Sequence, residues 1–220
     1  MCGRFAFYSP AEAVAELFEF EPAFEIAPRY NIAPTEPVPV VRSVRPEGRE
    51  FVMLRWGLVP YWAKDPSIGN RMINARAETV ADKPAYRDAY KKRRCLVLAD
   101  GFYEWRKEAG GKTPWFISLR SGQPFAFAGL WEAWTDRASG ERLETATIVT
   151  TAANKFLKEL HDRMPAVLQP DSASAWLAGS CGVLEAVTAN PPEFQAWPVS
   201  RAVNNSRTEG THLIERVANE

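Results

Sequence analysis

Short β-rich runs, separated by turn residues and in no regular alternation with helices, constrain this chain more than any other feature. Residues 2–8, 38–44, 50–56, 95–99, 102–106, 114–120, 124–131 and 143–150 are each rich enough in β-branched and aromatic side chains to read as strands. Pro46-Glu47-Gly48 reads as the turn of a hairpin between 38–44 and 50–56, and Ser121-Gly122 as another turn. Helical stretches fit best, and are short, near 10–19, 82–91, 152–160, 171–178 and 182–189. The first opens on Ser9-Pro10-Ala11-Glu12, the pattern of a capping box with proline at the first helical position. A parallel sheet needs a crossover helix between successive strands, and the order here does not supply it. The expected fold is therefore α+β: a single domain over 1–220, built on an antiparallel sheet flanked by short helices.

Hydrophobic residues make up 46% and charged residues 25%, which suits a globular chain and argues against long disorder. Cys2, Cys95 and Cys181 form no C-x-x-C pair, and with only His161 and His212 beside them no zinc pattern arises. No metal or organic cofactor is expected. No apolar run approaches the ~18 residues of a membrane span. Nor does a basic segment followed by an apolar stretch open the chain, so a cytoplasmic protein with reduced thiols is expected. The formal net charge is zero, yet residues 1–28 carry −4, residues 29–94 carry +7 and residues 95–220 carry −3. Such asymmetry can give a neutral protein a positive face. The run Lys91-Lys92-Arg93-Arg94 reads equally well as a solvated helix face.

Four segments could carry chemistry. In Met1-Cys2-Gly3-Arg4-Phe5 the small second residue permits removal of Met1, which leaves an amine and a thiol on adjacent carbons. At pH 7.5 an ordinary α-amine is roughly 40% neutral and an ordinary thiol roughly 10% thiolate. Such an aminothiol forms an imine with an aldehyde and then closes to a thiazolidine, which lysine cannot do. The alternative is a small cysteine buried in a strand. Arg55 to Asp65, followed by Asn74-Ala75-Arg76-Ala77-Glu78, interleaves aromatic and basic residues as single-stranded nucleic acid requires, or else packs as core. In Asp100-Gly101-Phe102-Tyr103-Glu104-Trp105, Glu104 is either a buried acid/base or a solvent-facing residue opposite Tyr103 and Trp105. His161, beside Arg163, is either a proton shuttle or a helix C-terminal cap.

The order and combination of segments carry more than any one of them. MCGRF at 1–5, RYNIAPT at 29–35, RWGLVPYWAKD at 55–65, INARAET at 73–79, ADGFYEW at 99–105, IVTTAA at 148–153, HDRMPAVL at 161–168 and WPVSRAVNN at 197–205 resemble the SRAP family, the SOS-response-associated peptidases and abasic-site processing proteins. The resemblance implies a barrel-like antiparallel sheet and a covalent abasic-site sensor acting on single-stranded DNA as a monomer. It implies Cys2 as the nucleophile forming a thiazolidine crosslink, Asn74 as the amide orienting it, Glu104 as acid/base and His161 as the histidine assisting imine chemistry. Arg4, Arg76 and Arg163 match phosphate-binding arginines, and Pro34, Tyr61, Trp62 and Thr150 fall in or beside the DNA-binding segments. A tyrosine at position 61, where a tryptophan would stack more strongly, weakens that contact. Walls formed by Tyr103 and Trp105 would favour the neutral amine. Two other readings compete. One is a cysteine-type peptidase or N-terminal-nucleophile amidase using Cys2 with His161 as base, within which autoproteolytic loss of Met1 would fall. The other is a non-enzymatic single-stranded DNA-binding protein.

Overall fold

The computed structural model of the chain describes residues 2–22, 24–44, 48–108 and 110–217. Along the first half run β1 (Phe5–Phe7), α1 (Ala11–Phe18), β2 (Arg29–Ile32), β3 (Pro37–Ser43), β4 (Arg49–Trp56), β5 (Asn74–Arg76), α2 (Arg87–Lys92) and β6 (Arg94–Ala99). Then come β7 (Gly101–Glu108), β8 (Gly111–Leu119), β9 (Phe125–Thr135) and β10 (Arg142–Ala152). The chain finishes with β11 (Arg163–Pro165), β12 (Val167–Leu168), α3 (Pro170–Ala178), α4 (Val183–Ala189) and β13 (Phe194–Pro198).

Five of these strands close on themselves. β4 pairs with β3, β3 with β6, β6 with β9 and β9 with β10, all antiparallel, and β10 returns to β4 in parallel. The expected barrel-like core is present, but it is mixed rather than wholly antiparallel. The reason is parity: an odd ring of strands that alternate in direction must contain one parallel pair. Val40, Trp56, Val97, Phe127 and Ile148 from these strands share one buried core, and apolar burial of this kind supplies the main folding free energy. A second sheet, ordered β13-β8-β7-β1-β2, lies beside the ring. Its strand β7 is covered on both faces, with Phe102 in the main core and Tyr103 in a second cluster with Ala6 and Phe116.

Several sequence expectations change in contact with the fold. The hairpin of β3 and β4 forms, with Ser43 opposite Arg49, while Arg45, Pro46 and Glu47 of its turn lie outside the described residues. The capping box at Ser9 does not form. Pro10 caps α1 without a side-chain bond, and the Tyr8 and Ser9 amides instead donate to the Asp100 carboxylate at 2.6 and 2.8 Å. The helix expected at 82–91 shrinks to α2, because Pro84 lacks the amide hydrogen and disfavours helical geometry before it. The helix expected at 152–160 is a single 3-10 turn, Leu157–Glu159, since β10 runs on through Ala152 and Asn154 Oδ1 then accepts from the Leu157 amide at 2.9 Å. α3 and α4 stand where the pattern placed them. Short strands β2, β5, β11, β12 and β13 went unread. Among the described residues no helix is long and apolar enough to cross a membrane.

The exit from β4 depends on one glycine. Gly57 has φ +128, its amide donates to the Ala146 carbonyl at 2.8 Å, and a Cβ there would meet the Gly69 carbonyl oxygen at 2.4 Å. Gly57→Ala is expected to destabilise the fold by at least about 2 kcal/mol. Denaturant unfolding of the two proteins checks this, and equal midpoints would refute the steric account.

Candidate active site

Cys2 lies just ahead of β1 and is 0% exposed. Its thiol donates weakly to the Arg4 carbonyl at 3.9 Å. The Asn74 Nδ2 donates to the Cys2 carbonyl at 2.7 Å. β5 fixes Asn74 against β10, with Asn74 opposite Ile148, and the Tyr86 hydroxyl donates to the Asn74 carbonyl at 3.2 Å. The Asn74 Oδ1 is buried and has no hydrogen-bond partner among the described residues. Burial pushes the Cys2 thiol far above the ordinary thiol range, and the nearby Glu104 charge pushes it further. Burial thus lowers the thiolate fraction below the ordinary one expected from sequence. Met1 lies outside the described residues.

Strand register sets Glu104 near enough for its charge to act on the thiol. Phe5 pairs with Phe102, and the Tyr103 amide donates to the Arg4 carbonyl at 3.0 Å, which carries the pairing toward the chain start. Glu104 shares a face of β7 with Phe102 and is only 5% exposed, so the solvent-facing alternative is overturned. The walls assigned to Tyr103 and Trp105 also need correction. Both pack in the second cluster, on the opposite face of β7, where the Tyr103 hydroxyl donates to the Tyr30 carbonyl at 2.6 Å and Trp105 Nε1 to Asn204 Oδ1 at 2.7 Å.

β10 and β11 place the remaining polar groups. Thr150 pairs with Arg76 on one side and Pro165 on the other. The His161 amide donates to the Leu157 carbonyl at 2.9 Å, so the histidine does follow a helical turn. Its Nδ1 also accepts from the Arg163 amide at 2.9 Å, which in the neutral ring puts the proton on Nε2. Arg163 is held by Glu78 and by Thr150, and the buried Thr150 hydroxyl reaches the Ala75 carbonyl at 3.4 Å. Arg76 is exposed. No group of three or more His, Cys, Asp and Glu side chains among the described residues is placed to hold a metal ion.

A family model described as SOS response associated peptidase (SRAP) matches residues 1–206. The chain belongs to the SRAP family. It is 40% identical to the abasic site processing protein YoaM of Bacillus subtilis over 98% of each chain. It is 36% identical to the abasic site processing protein YedK of Escherichia coli over 99% of this chain and 100% of that one. A solved protein from Bacteroides thetaiotaomicron has the same fold, with a TM-score of 0.87 at 24% identity over 99% of this chain and 100% of the other.

The other groups of this SRAP chain divide between surface and interior. Tyr61 and Trp62 are 55% and 44% exposed, whereas Trp56, Leu58 and Val59 of the same segment are buried, so the aromatic run serves both as core and as outward face. Pro34 is half-buried, next to Thr35 at φ 74. Lys91 and Lys92 are exposed, but Arg93 pairs with Glu132 at 2.6 Å and Arg94 lies over the Trp176 ring at 4.4 Å. Only half of that basic run is therefore a solvated face. Arg4 is half-buried, and its Nη1 donates to Asn31 Oδ1 at 2.6 Å and to the Val203 carbonyl at 2.8 Å. Asn31, absent from the sequence-derived residues, is fully buried and donates to the Asn205 and Thr208 carbonyls at 2.9 and 2.8 Å. Its one sequence signal was its place inside RYNIAPT.

The raised Cys2 thiol has a direct chemical consequence. Alkylation of Cys2 in the full-length chain at pH 8.5 is expected to be at least about tenfold slower than in a free peptide, whose thiol is half ionised there. Glu104→Gln removes a charge that opposes the thiolate, so it is expected to speed the reaction. Peptide mapping after iodoacetamide treatment reads both effects. A Cys2 that titrates at the ordinary thiol value and ignores the Glu104 change would contradict the placement of the carboxylate.

Proposed function

We propose that this chain captures abasic sites in single-stranded DNA covalently, through the α-amine and thiol of Cys2 once Met1 is gone. The observation that carries the reading is the clamp on Cys2. One end of the Asn74 amide holds the Cys2 carbonyl, and the other, a buried oxygen, is an acceptor available to the adjacent amine. An amine oriented by an acceptor keeps its lone pair aimed away from that contact, toward an incoming carbonyl carbon. The names of the relatives from Bacillus subtilis and Escherichia coli, abasic site processing proteins, support the same substrate.

The chemistry then balances in three steps. Acid/base transfer through Glu104 or His161 opens the sugar hemiacetal to its aldehyde. The Cys2 amine adds to that carbon, and the carbinolamine loses water to give an imine. The Cys2 sulfur then adds to the imine carbon while its proton passes, by way of the Glu104 carboxylate, to the nitrogen. No oxidant is consumed and no cofactor takes part. A thiol kept protonated until the imine stands beside it suits this order, because the amine must act first. Arg4, Arg76 and Arg163 supply cations to flanking phosphates, Thr150 orients Arg163, Tyr61 and Trp62 stack where bases are unpaired, and Pro34 belongs to the same DNA-binding surface. Every group named here belongs to one chain, so the proposed chemistry needs no second copy.

Cys2→Ser separates imine from thiazolidine. The variant keeps a small second residue and the free amine, but a hydroxyl is a far poorer nucleophile than sulfur near neutral pH. Wild type is expected to give a heat-resistant adduct with abasic single-stranded DNA without reductant. Cys2→Ser is expected to give one only when borohydride traps it. A reductant-independent, heat-stable serine adduct would overturn the thiazolidine assignment. Intact mass of the wild-type protein is expected to begin at Cys2, and full crosslinking by protein that retains Met1 would overturn the role of the amine.

A further inference from the structure

Glu78 stands in the site without a role in the chemistry above. Its two carboxylate oxygens accept from Arg163 Nη1 at 2.6 Å and Nη2 at 3.0 Å. The same Nη2 donates to the Thr150 carbonyl at 2.7 Å and to the Thr150 hydroxyl at 3.2 Å. A planar fork on two carboxylate oxygens is also the geometry in which a guanidinium holds two oxygens of a phosphodiester. The two partners differ in freedom. The Arg163 side chain is 17% exposed and tied to the backbone of β10, whereas that of Glu78 is 44% exposed. The carboxylate is therefore the member that can turn out into water. Arg76 adds to its hold: the Glu78 carboxyl lies below the ordinary range through its hydrogen bond to Arg163, with the charges of Arg163 and Arg76 contributing.

We propose that Glu78 is a displaceable stand-in for a DNA phosphate, occupying the Arg163 fork in the free protein and setting the affinity threshold for single strands. The proposal rests on the reading of Arg163 as a phosphate contact. A strand must expel the carboxylate before it seats, so undamaged DNA is held loosely and released. At an abasic site the covalent bond retains the strand, and the threshold no longer matters.

Fluorescence anisotropy with a labelled, undamaged single strand tests this across a salt series. Glu78→Gln and Glu78→Ala are both expected to bind about fivefold tighter than wild type at low salt, the upper end of what a part-exposed ion pair is worth. The gain is expected to fade as salt rises. In an Arg163→Ala background it is expected to fall below about twofold, since the coupling runs through that side chain. Weaker or unchanged binding by both Glu78 variants would mean that the carboxylate aligns Arg163 for DNA, and the proposal fails. A gain that persists in full without Arg163 is a general charge effect, and the proposal also fails. If wild type shows no salt-dependent binding and Arg163→Ala changes nothing, the phosphate reading itself falls and takes this one with it.

Discussion

Strand β10 is shared by more partners than any simple hairpin would give it, and the molecule depends on that sharing. One edge is lined by β9 and then β11, the other by β4 and then β5. Its pairing with β4 closes the odd ring, Ile148 holds Asn74, whose amide binds the Cys2 carbonyl, and its last residues carry further candidate groups. Thr150 meets Arg76 and Pro165, and Ala152 meets Arg163. Barrel closure and the placement of these candidate residues thus share one strand. Asn74, Arg76, Glu104, Thr150 and Arg163 sit on strands whose backbone is held in the ladder, whereas Cys2 and His161 lie just outside strands.

The site also depends on buried polar groups that satisfy one another. Asp100 gathers the amides that lead into α1, and Asn31 spends both ends of its amide on Arg4 and the carboxy-terminal tail. Leaving one such group without its partner costs about 1–3 kcal/mol, comparable to removing a core methylene or two. These residues therefore stabilise the fold while they fix the amino-terminal arm. Glu104 is buried as well, and its charge acts on the Cys2 thiol, which it pushes further up.

The long strands and three of the helices were legible because their signal is local. β-branched and aromatic runs marked β3, β4, β6, β7, β8, β9 and β10, and short helical stretches marked α1, α3 and α4. Strands such as β5 and β12 exist only because a neighbour offers an edge, so no pattern of three residues or fewer could announce them. Helix 10–19 was legible but its cap was not, since the acceptor for Ser9 comes from Asp100 far along the chain. The same limit applied at the site. Residue types and motif order pointed to Cys2, Asn74, Glu104 and His161, but the face that Glu104 takes depends on how β7 is covered from both sides. Arg163 was visible as a cation, whereas its pairing with Glu78 follows from the meeting of two segments at β10. Asn31 was hidden because its partners, Arg4, Asn205 and Thr208, are distant in sequence.

The Asn31 knot has a bearing on how the protein is made. Residues 4 and 31 emerge early from a ribosome, but the carbonyls that complete the knot belong to Val203, Asn205 and Thr208. Until those residues are synthesised the arm that bears Cys2 has no tail to be tied against. The packing of this arm accordingly waits on residues far along the chain. Two segments far apart in sequence thus share one set of hydrogen bonds, and loosening either one loosens the other.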